Sequence, residues 1–112
     1  MLISSLTEIE TVNALALRVF RNEISQLEAD RSLSVFEADL RQGLFSRSDL
    51  PASAFEQAYR LSRQSTARLG VRTADLLHVA IALELAATEF FTFDLRQHKL
   101  CLEIGLPVNP LP

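Results

Sequence analysis

At 112 residues, with 48% hydrophobic and 22% charged positions, three Gly and four Pro, the chain is sized for one domain and is neither disordered nor collagenous. The one cysteine, Cys101, excludes an internal disulfide framework and a cysteine-based zinc knuckle, and it fits a reducing compartment. A formal charge of −3 argues against a broadly basic nucleic-acid binder. A local basic rim stays open, because ten of the eleven basic residues are Arg, the better fork for phosphate.

The N-terminus MLISSLTEIE has no basic region and meets two glutamates within ten residues, which excludes a signal peptide. The longest apolar stretch, residues 76–87, contains His78 and Glu84 and is too short to span a bilayer. A cytoplasmic domain is expected.

In chain order, residues 2–6 (LISSL) predict a short apolar strand. Thr7 offers an N-cap with Glu10 three residues on, opening a helix that carries Ile9, Val12, Leu15, Val19 and Phe20 near a 3.6-residue period. Ser25 and Glu28 form a second capping box before a helix with Leu33, Phe36 and Leu40 on one face, stopping near Gly43. Residues 44–46 predict a brief edge strand. A helix with Phe55, Tyr59 and Leu61 follows Pro51 and ends at Gly70. Thr73 is the expected cap of TADLLHVAIALELAA, apolar on most of its circumference and so central. Residues 90–93 (FFTF) predict a strand, Asp94 starts a last helix closed by Gly105, residues 106–108 predict a final strand, and the tail NPLP is expected to be loose.

Strands alternating with helices predict an α/β fold with a parallel sheet. In such a sheet ligands collect at the carboxyl ends of the strands. Glu10 follows the first strand, Asp94 ends FFTF, and Asp75 lies in the first turn of the helix that runs back before FFTF, so topology sends three acids to one rim. Gathered carboxylates suit a hard cation such as Mg²⁺, which prefers oxygen ligands. Each acid also has a plainer role: Glu10 in a capping box, Asp75 at a helix dipole, Asp94 as an N-cap.

Residues 72–108, RTADLLHVAIALELAATEFFTFDLRQHKLCLEIGLPV, resemble the C-terminal half of a PIN domain, and most closely the VapC-type toxins of bacterial toxin–antitoxin pairs. The shared pattern is an R-x-x-D-x-x-H-x-A helix start, a T-F-D strand end and a closing G-L-x-V, in that order. ISSLTEIE resembles the family's S-S-L-T-x-x-E segment, which places the family acid on Glu10 rather than Glu8. The resemblance implies a PIN-like parallel sheet with flanking helices, one domain over residues 1–112, and Glu10, Asp75 and Asp94 as catalytic and metal-binding acids. It places Thr92 on the hydroxyl position two before the last acid. Arg72 and Arg96 flank the acids, to hold RNA phosphate or to pair with the acids themselves.

The implied activity is Mg²⁺- or Mn²⁺-dependent endoribonuclease cleavage of RNA, by a homodimer held by a cognate antitoxin. The amphipathic stretch from Glu10 to Gly43 is the expected source of dimer or antitoxin contacts. The sequence departs from the family pattern at its start. It begins after the family's first strand, the middle strand of that sheet, whose D-T-S-like end carries a principal metal ligand. The expectation is therefore an N-terminally truncated domain with its central strand absent and its activity in question. The alternative is a catalytically dead PIN-derived binding module that engages an antitoxin or another partner protein. His78 reads as a packed core histidine, His98 as solvent-facing, Cys101 as a small buried apolar residue, and Tyr59 with the Phe residues as core rather than a stacking platform.

Overall fold

The computed structural model describes residues 2–111. The chain forms two compact units, one ending at Leu50 and the other beginning at Pro51.

In the first unit, β1 (Leu2–Ser4) leads directly into α1 (Ser5–Phe20), and α2 (Gln26–Arg41) is followed by β2 (Ser46–Ser48). β1 and β2 pair in parallel, with Leu2 opposite Ser46 and Ser4 opposite Ser48. The first strand is shorter than LISSL suggests because Ser4, not Thr7, caps α1. Its hydroxyl accepts from the Thr7 amide at 3.4 Å and the Thr7 hydroxyl accepts from the Ser4 amide at 3.4 Å. Glu10 is consequently inside the helix and not its capping acid. The Ser25–Glu28 capping box is present as expected, with 3.1 and 3.2 Å bonds.

The apolar face expected of α1 exists but is largely uncovered. No α1 residue is buried, and Phe20 is 83% exposed. Among the described residues of this unit Ile3, Ser4 and Ala29 are buried, so its stabilisation rests on local caps and half-buried contacts such as the Phe36–Phe45 ring pair at 5.7 Å.

The second unit holds the larger core. α3 (Ser53–Leu61) buries Ala54, Ala58 and Leu61, continues through a π-helical turn (Ser62–Thr66) that keeps Ser65 inward, and ends in α4 (Ala67–Leu69). Gly70 then takes a left-handed conformation at φ +68°, which suits glycine. α3 packs on α5 (Thr73–Glu84), whose Leu76, Val79, Ala80 and Ile81 are buried, consistent with the expected central helix. Arg72 rather than Thr73 occupies the N-cap position, without a side-chain cap bond. α6 (Leu95–Ile104) adds Leu100 and Cys101, both fully buried.

Phe55 and Tyr59 are corrections to the core reading. They lie about a quarter turn round α3 from Ala54 and Ala58 and are more than half exposed. FFTF is likewise a minimal strand: Phe90 bridges Val108 in parallel, while Phe91 and Phe93 are exposed and meet edge to face at 5.2 Å. The α/β expectation therefore holds with parallel pairing, flanking helices and very short strands. Among the described residues no helix is long and apolar enough to cross a membrane.

Candidate active site

The second unit brings Asp75 and Asp94 onto adjoining turns. Asp94 is the N-cap of α6, and its Oδ1 accepts from the Gln97 amide at 2.8 Å. Asp75 lies in the first turn of α5, where the helix dipole favours a carboxylate. Gln97 joins the two turns. Its Nε2 donates to the Asp75 carbonyl at 3.2 Å, and its Oε1 accepts from the Thr92 hydroxyl at 2.6 Å. Thr92 Oγ1 also accepts from the Asp94 amide at 3.0 Å, so one hydroxyl serves both the side chain of Gln97 and the backbone of Asp94.

This network is buried, with Thr92 at 8% and Gln97 at 6% exposure. Buried polar groups of this kind are costly unless paired, and here each has a partner.

Thr92 is held in turn by Asn109. The Asn109 Oδ1 accepts from the Thr92 amide at 2.7 Å and its Nδ2 donates to the Thr92 carbonyl at 2.9 Å. The carboxamide acts as a substitute peptide unit. It extends the pairing begun by the Phe90 amide on the Pro107 carbonyl (2.7 Å) and the Asn109 amide on the Phe90 carbonyl (3.3 Å). Asn109, the first residue of the tail expected to be loose, is therefore anchored and buried. His98, expected to face solvent, is half-buried, and its Nε2 bonds the Asn109 carbonyl at 2.8 Å. His78 is also half-buried.

Arg72 pairs with Asp75, Nε to Oδ2 at 3.4 Å, with the arginine side chain 76% and the aspartate 21% exposed. With its arginine this exposed, the pair contributes little, about 0–1 kcal/mol. Arg96 is exposed on α6. Glu10 is half-buried on α1 of the first unit. Its neighbour Glu8 pairs with Arg47 at 3.2 Å.

Among the described residues no three His, Cys, Asp or Glu side chains group as a metal site. Asp75 and Asp94 would offer a cation only oxygen, with Asp75 Oδ2 paired to Arg72 and the Asp94 cap using Oδ1 while leaving Oδ2 outside it. That chemistry fits a hard dication such as Mg²⁺, which is commonly held through one or two carboxylates with retained waters.

Two residues of this network escaped the sequence reading. Gln97 carried a local signal, the capping-box spacing from Asp94. Asn109 carried none, because its partner Thr92 is seventeen residues away.

No curated protein and no solved structure shows a significant match to the chain. A family model described as PIN domain matches residues 1–102. With the match spanning nearly the whole length, the chain belongs to the PIN domain family.

Proposed function

We propose that the protein is a VapC-type PIN toxin of a toxin–antitoxin pair, a metal-dependent endoribonuclease acting on RNA. Membership of the PIN family supports nuclease-type chemistry, generally dependent on a divalent metal. The observation that carries the reading is the buried tie through Gln97 between the turns bearing Asp75 and Asp94. Asp75 and Asp94 would hold Mg²⁺ or Mn²⁺. The resemblance of residues 3–10 to the family segment makes Glu10 a further candidate acid. A bound dication supplies charge neutralisation on the phosphoryl group and acidifies water. The chain's own part is to hold the two acids at neighbouring helix N-termini, and to present the exposed Arg72 as a phosphate fork once it leaves Asp75.

A Mn²⁺ titration tests this, with the Asp75→Asn/Asp94→Asn double variant as control and RNA cleavage measured with and without chelator. Asn caps helices as well as Asp does, so the variant keeps the α6 cap and removes only charge. Saturable binding lost in the double variant is the expected result. At a hundredfold excess over the dissociation constant the metal would stabilise the fold by roughly 2.7 kcal/mol.

The second reading is a PIN-derived binding module that engages an antitoxin or other partner without cleaving. The uncovered face of α1, with Ile9, Val12, Leu17 and Phe20 exposed, favours it, and the same face suits homodimer or antitoxin contacts. A chain that melts identically in Mn²⁺ and in chelator is that module and not the enzyme.

A further inference from the structure

The Asp75 and Asp94 turns are joined by one buried side chain, and its attachments are specific. Gln97 is a residue of α6, yet its carboxamide donates to a backbone carbonyl of α5, at Asp75, and accepts from Thr92 in the segment before α6. Its own amide is the group that the Asp94 carboxylate caps. The Gln97 side chain therefore ties the α5 backbone at Asp75 to Thr92, while its backbone amide holds the Asp94 carboxylate. Thr92, whose hydroxyl orients the carboxamide, is held by Asn109 through its backbone amide and its backbone carbonyl. Asn109 lies beyond the segment matched by the family model.

We infer that Gln97 is a positioning residue that sets the relative placement of the Asp75 and Asp94 carboxylates, with Asn109 locking it from the tail. Neither residue needs to touch metal or RNA. The inference rests on the reading of Asp75 and Asp94 as metal-binding acids. Supporting groups that orient ligands in this way change metal affinity about 10–100-fold when removed.

The test uses the full chain and Mn²⁺ alone. Gln97→Met keeps the length of the side chain and deletes both of its hydrogen bonds. Its Mn²⁺ dissociation constant is expected to rise by about tenfold or more, with an altered electron paramagnetic resonance spectrum of the bound ion. Leu61→Ala, a core truncation on α3, is the control for loss of stability alone and is expected to bind Mn²⁺ as the parent does while melting lower. Should Gln97→Met fail to fold, Asn109→Ala carries the test, because it leaves Gln97 in place and releases only its lock. Weaker binding with a changed spectrum in either variant, at unchanged affinity in Leu61→Ala, supports the assignment. Parental affinity and spectrum in the folded variant overturn it, as does an equal loss in Leu61→Ala. A parent chain that binds no Mn²⁺ overturns the metal-site reading itself, and the positioning role falls with it.

Discussion

Replacing Asn109 by Ala is the most informative perturbation of the fold. The substitution removes the carboxamide that accepts from the Thr92 amide at 2.7 Å and donates to the Thr92 carbonyl at 2.9 Å, together with a 3.2 Å bond to the Pro110 carbonyl. Thr92 is 8% exposed, so solvent does not readily replace either bond. Each buried backbone group left unpaired costs about 1–3 kcal/mol, and water entering the vacated space recovers part of that, which gives a net loss of about 2–4 kcal/mol. For a unit of this size the melting midpoint falls by roughly 15–30 °C. Circular dichroism during thermal unfolding reads the midpoint, and amide hydrogen exchange reads the site directly, with the Thr92 amide protected in the parent and fast in the variant. A loss below about 0.5 kcal/mol with Thr92 still protected would refute the account, because the amide would then have another partner.

Two further outcomes follow from single residues. Burial pushes the Cys101 thiol from its ordinary value of 9.0 up to about 11. The folded state therefore keeps this proton longer than the unfolded state does. Stability is intact below pH 9 and declines as pH rises toward 11, by up to about 3 kcal/mol, a slope that Cys101→Ala should lack. Rapid reaction of the native thiol with a thiol reagent at pH 8 contradicts that burial. At the end of α5, Ala86 takes φ +53° so that its amide and that of Ala87 can close on the Leu83 and Ala82 carbonyls. Ala86→Gly relieves the left-handed strain, less the entropy glycine loses on folding, and raises stability by about 0.5–1 kcal/mol in urea unfolding. No gain would mean that the turn relaxes around the alanine.

Much of the local structure was legible because its causes are local. The Ser25–Glu28 capping box, the stop at Gly43, the Asp94 cap and the closure at Gly105 each depend on residues within one helical turn of one another. The start of α1 was misplaced because two overlapping cap patterns, Ser4 with Thr7 and Thr7 with Glu10, compete over the same segment. The earlier one is realised, its reciprocal bonds satisfying the first free amides where the strand ends.

The helix-and-strand order, the α/β class, the family resemblance and the candidate acids can all be read along the chain. Periodicity, caps and short motifs carry all of these. Which apolar faces are covered depends on packing, since the exposed Phe20, Phe55 and Tyr59 have the same spacing that buried residues would have. How Asp75 and Asp94 are tied together depends on it too. Gln97 reaches a carbonyl twenty-two residues back and Asn109 reaches Thr92 across seventeen, and hydrogen bonds at that separation leave no period or spacing to read along the chain.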